Sequence, residues 1–238
     1  MSAALGSVFE VGYEGMREEN DRIQRAIKNR GKEMIGRLYV KRDPTVSRSV
    51  LMLQDKPVVL TEHQVKIDGD WRNWFPCLQR HDERGCPLCD PVIENRAYKA
   101  GLFAGVELCS YTRRDNTVVR NPRTIITAKT ERSMFFDKKN TDKGGLRGTE
   151  WKVSRLSEKA PSIGDDWEFQ RKWTEEEILR ELGEEKAKPF DWASYLKLPT
   201  YDELDRIANS IRRAKNVNEK RSDESVPAAT SDSEEVPF

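Results

Sequence analysis

The sequence predicts a mainly β protein with flanking helices: a closed antiparallel barrel with a cysteine-rich loop inserted in it. Three observations predict this. Short apolar runs recur from residue 36 to 173, separated by dense turn signals. Helical patterning is confined to the segments before and after that region. Three of the four cysteines and one of the two histidines fall within CLQRHDERGCPLCD, residues 77–90.

The elements follow in order. Residues 13–30, YEGMREENDRIQRAIKNR, predict a helix that Gly31 stops, with Lys28 and Arg30 in its last turn. Its apolar side (Met16, Ile23, Ala26, Ile27) is thin, so residues 1–35 read as an arm on the body. Strands are predicted at 36–43, 49–55, 58–66, 71–78, 106–113, 123–130, 149–156 and 167–174. Their spacing suits a small antiparallel sheet over 36–173 that closes into a barrel, although periodicity alone does not separate a barrel from a sandwich. Residues 174–215 read as helices. Thr174 with Glu177, and Thr200 with Glu203, fit the capping box, in which hydroxyl and carboxylate each satisfy a free backbone N–H. Gly183 is the expected end of the first helix, and Leu204, Ile207, Ala208 and Ile211 form one buried stripe on the second. Residues 216–238 hold few apolar side chains and a net negative charge, which predicts a disordered acidic tail.

Composition narrows the function classes. Apolar residues make up 36% and charged residues 35% of the 238, and no apolar run approaches the roughly 18 residues of a membrane helix. The start, MSAALGSVFEVGYEG, lacks the basic and apolar regions of a signal peptide, so a cytoplasmic protein with no membrane partner is expected. Thiols stay reduced there, and clustered cysteines then read as metal ligands or catalysts before disulfides. The net charge of +1 conceals a basic front and an acidic end, a pattern that suits a polyanion-binding body.

Cys86 and Cys89 form a C-P-L-C knuckle, and Cys77 is a natural third thiolate. Zinc takes four such ligands in a tetrahedron. The fourth is His63 or His81; a hairpin spanning 63–77 would bring strand ends together and favours His63. A redox pair fits less well, because ligand-spaced partners surround the knuckle and no βαβ pattern does. Zinc deaminases require His-x-Glu, whereas Glu62 precedes His63. Four protein ligands leave no position for water, so the expected Zn2+ is structural and the protein is not expected to be an enzyme. Cys109, among apolar residues, reads as core.

Aromatic and cationic residues interleave along the strands. Arg37, Tyr39, Lys41, Arg72, Trp74, Tyr111, Arg113 and Arg114 are the candidate nucleic-acid contacts, while Trp151, Trp167 and Phe169 are expected inside. Rings stack on unpaired bases and cations follow phosphates, the combination that single strands require. At the terminus, Asp232, Glu234, Glu235, Val236, Pro237 and Phe238 join acidic steering to a ring and a carboxylate that one basic-rimmed pocket could capture.

This tail resembles that of bacterial single-stranded-DNA-binding proteins, whose acidic tips end in Pro-Phe. The array of His63, Cys77, Cys86 and Cys89 resembles the zinc site of tailed-phage single-stranded-DNA-binding proteins, and GGLRGTEWKVSRLSEKAPSIGDDWEF resembles their late strands. The likeness covers about residues 36–173 and 222–238. It implies an OB-fold with a zinc subdomain at about 63–90. It also implies binding of single-stranded DNA in phage replication, recombination and repair within an infected bacterium, and recruitment of replication or repair proteins by the tail. The rival from another class is a zinc-ribbon adaptor or transcription regulator that contacts proteins or duplex DNA.

Overall fold

The structure is a computed structural model that describes residues 35–43, 45–67, 70–93, 95–157, 159–196 and 198–223. The helix expected at 13–30 lies outside these residues, as does the end of the expected tail from residue 224 onward. The chain divides into residues 1–36 and 37–238.

The mainly β expectation holds. One sheet joins β1 (Gly36–Arg37), β2 (Ser47–Met52), β3 (Val58–Ile67), β4 (Asp70–Pro76), β5 (Tyr98–Glu107), β8 (Arg123–Ala128), β9 (Thr149–Ser154) and β10 (Asp166–Lys172). A separate two-stranded sheet holds β6 (Ser110–Thr112) and β7 (Val118–Arg120). The strand order in the main sheet is β1-β8-β5-β2-β9-β10, with β3 added to β5 and β4 to β3. β5 organises it. One edge pairs with β8; the other pairs with β3 through Tyr98–Leu102 and then with β2 through Gly105–Glu107. Neighbours crowd this strand on both faces, and small residues answer the crowding. A Cβ on Gly105 would stand 2.8 Å from the Ile126 side chain.

Closure differs from expectation. Among the described residues no ladder joins β10 to β8 or β1, because the outer edge of β8 is already taken by β1 and Leu38. The Leu38 N–H donates to Ile125 O and the Val40 N–H to Ser162 O, each at 2.8 Å, so this segment links β8 to the β9–β10 connection. Leu38 and Val40 point into the core while Tyr39 stays exposed, the alternation of an extended chain.

The strand expected at 106–113 is broken. The chain leaves β5 at Glu107 and turns, with the Cys109 N–H on Glu107 O at 2.8 Å, before the β6–β7 hairpin begins. Cys109 is therefore half-buried at a corner and lies outside the core.

Helix α1 (Thr130–Asp142) plugs the sheet with Phe136, and no pattern in the sequence announces it. Its apolar residues Met134, Phe135 and Phe136 are consecutive instead of three or four apart, and no side chain caps its start. Phe136 lies 5.0 Å from Phe103 and 4.9 Å from Trp167, ring centre to ring centre. Trp151 meets Trp167 and Phe169 edge-on in the same core. Its indole N–H donates to Thr149 Oγ1 at 2.7 Å.

Both capping boxes form. Thr174 and Glu177 exchange bonds of 3.2 and 2.8 Å at the start of α2 (Glu175–Ala187), and Thr200 and Glu203 do the same before α4 (Tyr201–Asp223). Gly183, at φ +74°, kinks α2 and one further turn follows it. A short α3 (Trp192–Tyr195) connects the two. α4 runs past residue 215, as neither Gly nor Pro interrupts the sequence before Pro227. It buries Leu204 and Ala208 against Val65, Leu78, Leu88 and Ile93, a second core apart from that of the sheet. Among the described residues no helix is long and apolar enough to cross a membrane.

Phe136→Ala would empty the centre of the aromatic cluster. It is expected to cost about 3–5 kcal/mol, read as a fall in the midpoint of denaturant unfolding.

Candidate metal centre and groove

Hairpin β3–β4 positions the first two members of the cysteine cluster. His63 stands opposite Phe75 in the ladder, and Cys77 follows the end of β4, where its N–H donates to Thr61 O at 2.9 Å. Pro87 starts a 3-10 turn over Pro87–Cys89 that points Cys86 and Cys89 back at them. The ligand atoms of His63, Cys77, Cys86 and Cys89 all lie within 4.8 Å of one another, so the four could hold a metal ion.

Geometry and electrostatics fit such an ion. Metal–sulfur bonds of about 2.3 Å and metal–nitrogen bonds of about 2.0–2.1 Å imply tetrahedral edges near 3.8 Å between sulfurs and 3.6 Å from sulfur to nitrogen. His63 Nε2 lies 3.5 Å from both Cys86 Sγ and Cys89 Sγ, and Cys77 Sγ lies 3.6 Å from Cys89 Sγ. Backbone N–H groups of Gln79 on Cys77, and of Leu78 and Leu88 on Cys86, support the sulfurs. By themselves three packed thiols resist joint ionisation. Burial and the neighbouring thiols raise Cys77 and push Cys89 up to about 12. Burial acts the same way on Cys86, but hydrogen bonds from His63 and the backbone outweigh it and bring that thiol down to about 6. A divalent cation would let all three ionise.

The choice between histidines is decided by position. His63 is fully buried in the cluster, whereas His81 is exposed in the turn that follows Leu78. Asn95, which spacing did not single out, pairs its Oδ1 with His63 Nδ1 at 3.1 Å, and its amide N–H donates to Gln64 O. With an ion bound, an Nδ1–H donated to that oxygen would leave the Nε2 lone pair for the metal. Only the chemistry of a ligating histidine, which needs a partner behind it, could have pointed to Asn95.

The same hairpin walls a groove of about 1150 Å³. Its other walls are α1, the edge of the sheet at β1, β5 and β8, and the β9–β10 connection at residues 155–165. Rings of Tyr39, Trp71, Trp74, Tyr98 and Phe135 line it together with Lys99, Lys129, Arg132, Arg155 and Lys159; Glu131 and Asp165 are the acidic lining residues. Tyr39 is 47% and Trp71 54% exposed. Lys129 Nζ sits 4.1 Å from the centre of the Tyr98 ring. The β9–β10 connection is held by Asp165, which accepts from the N–H groups of Leu156 and Ser157 at 2.8 and 3.1 Å.

Of the predicted contacts, Arg37, Tyr39 and Trp74 line this groove. Lys41 is exposed elsewhere, and Tyr111, Arg113 and Arg114 belong to the β6–β7 hairpin; none of the four lines the groove. The Arg72 side chain and Asp232, Glu234, Glu235, Val236, Pro237 and Phe238 lie outside the described residues. Arg37 differs from its expected role. It makes a two-pronged ion pair with the fully buried Glu62, at 2.8 and 2.6 Å. Removing one partner alone would strand a buried charge at a cost of roughly 3–5 kcal/mol. Tyr98 and Lys99 repeat the ring-next-to-cation signal of the predicted sites and could have been found by it. Lys129 and Arg132 could not, because α1 was not legible.

No known protein family matches this chain, and no curated protein or solved structure does.

Purified protein is expected to carry one divalent ion per chain by elemental analysis. Cys86→Ser is expected to lose it and to unfold at a clearly lower temperature; a metal-free variant as stable as wild type would reject the centre.

Proposed function

We propose that the chain is a non-enzymatic single-stranded-DNA-binding protein of the tailed-phage kind, which coats and protects DNA in replication, recombination and repair. The observation that carries this reading is the groove, which five rings line together with lysines and arginines that outnumber its acidic residues. Unpaired bases offer faces to such rings, at about 1–3 kcal/mol each, and their phosphates attract the cations without regard to sequence.

The strand order supports an OB-fold reading of the sheet. β2, β5 and β8 are successive antiparallel neighbours, α1 follows, and β9 returns to β2 with β10 beyond it. OB-folds are partly open five-stranded barrels that bind on strands 2 and 3 and on the loops between strands 1–2 and 4–5. The groove lies over the corresponding parts: β5 and β8, the β3–β4 insertion between β2 and β5, and the β9–β10 connection.

In this reading the ion of the Cys3His centre is zinc, held by His63, Cys77, Cys86 and Cys89, and its role is structural. It contributes folding free energy to a hairpin that has little core of its own. The acidic terminus recruits replication or repair proteins through Phe238 and its carboxylate. The protein works in the cytoplasm of an infected bacterium.

In competition, single-stranded DNA is expected to displace a bound oligonucleotide far better than duplex of equal length; preference for duplex would favour a transcription regulator. The exposed Lys99 gives a finer test. Lys99→Ala is expected to weaken binding a few-fold and to reduce the slope of log affinity against log salt by about 0.7. Deleting Phe238 is expected to abolish partner capture while leaving DNA affinity intact, and equal partner capture would reject the role given to the tail.

A further inference from the structure

Four side chains of the groove region form a network of interactions that binding a polyanion does not by itself demand. Glu62 accepts from both terminal nitrogens of Arg37, at 2.8 and 2.6 Å. The Arg37 guanidinium lies 4.5 Å from the centre of the Trp74 ring. The Tyr98 hydroxyl donates to Glu62 Oε1 at 2.9 Å. Thr127 Oγ1 accepts a further bond from Arg37 at 3.1 Å. The four residues come from β1, β3, β4 and β5, so the network ties together the strands that meet at this wall.

A carboxylate beside a polyanion's path is a liability, since it repels phosphate. Here it is fully buried and matched charge for charge, so the pair carries no net charge. Arg37 therefore has no free charge to offer a phosphate. What the pair supplies is orientation: a planar guanidinium can take both oxygens of a carboxylate and stack a ring at the same time, which a lysine cannot do. A ring ordered before the ligand arrives loses less conformational freedom on binding.

We infer that Glu62 is a positioning residue, which holds Arg37 against Trp74 so that the indole is set for stacking before an unpaired base reaches it. This rests on the single-stranded-DNA reading. Phosphate attraction then falls to Lys99, Lys129 and Lys159, and base contact to Trp74 and its neighbouring rings.

The test titrates an oligothymidylate into the full chain across a salt series, following tryptophan emission and affinity together. The double variant Arg37→Gln/Glu62→Gln leaves the net charge unchanged. It is expected to keep its circular dichroism and metal content, to bind about tenfold more weakly, and to quench less on binding. Its salt slope should equal that of wild type. A slope reduced by about 0.7 would make Arg37 a phosphate contact and overturn the inference. Wild-type affinity in the double variant would overturn it as well. If that variant does not fold, Tyr98→Phe decides, because it removes the hydroxyl that donates to Glu62: several-fold weaker binding at the same slope is expected, and unchanged affinity overturns the inference. Wild-type protein that ignores the oligonucleotide would overturn the DNA reading and this inference together; binding by wild type and variants alike would overturn the inference alone.

Discussion

Alternation along β3 sends Glu62 and Gln64 to one face of the hairpin and His63 to the other, and the molecule's two candidate sites follow from that one constraint. Gln64 stands opposite Trp74 in the ladder, and both line the groove. His63 stands opposite Phe75 and faces the thiols. Pairing with β5 supports β3 only as far as Glu62 opposite Tyr98; beyond that point the hairpin is a two-stranded ribbon. Such ribbons are marginal alone. The Cys3His cluster lies behind the unsupported part, where a bound ion would tie β3 to the end of β4 and to the 3-10 turn.

The helix that follows makes the same point by packing. α4 lays Leu204 and Ala208 over Leu78, Leu88 and Ile93, so the segment carrying the Cys3His cluster has a small core instead of a bare loop. Arg212 pairs with Asp90, at 2.9 Å from its Nε, and Arg84 stacks on Tyr201 at 4.0 Å. Residues 174–215, which match no motif, thereby acquire a physical role: the first part braces the main sheet through Arg147–Glu175 at 2.7 Å, and the second covers the segment carrying the Cys3His cluster. Among the described residues, one core packs aromatic rings around Phe136, and another lies between the Cys3His cluster and its helical cover.

Charge deserves the same care as burial in reading such a surface. Arg37 looked like a phosphate contact because it sits beside a ring in an alternating strand, and the groove does include it. Its partner, Glu62, is 25 residues away and fully buried, so the cation is already matched. Lys99 and Lys159 remain exposed on the same groove and keep their charge available. A list of basic residues therefore overstates the field of a groove until each one's partner is known.

The sequence alone determined whatever depends on a few neighbouring residues. The Cys86–Cys89 knuckle, the Thr174 and Thr200 caps and the stripe of α4 all arise from spacings of two to four, over which backbone geometry leaves little choice. Tertiary structure decided the rest. It chose His63 over His81 by burying one and exposing the other, folded α1 around a run of apolar residues with no helical period, and broke a strand at Glu107. It also assembled the groove from segments near residues 39, 71, 98, 129 and 159. Those outcomes turn on which edges pair and which charges meet across the chain, and such contacts leave no local trace in the order of the residues.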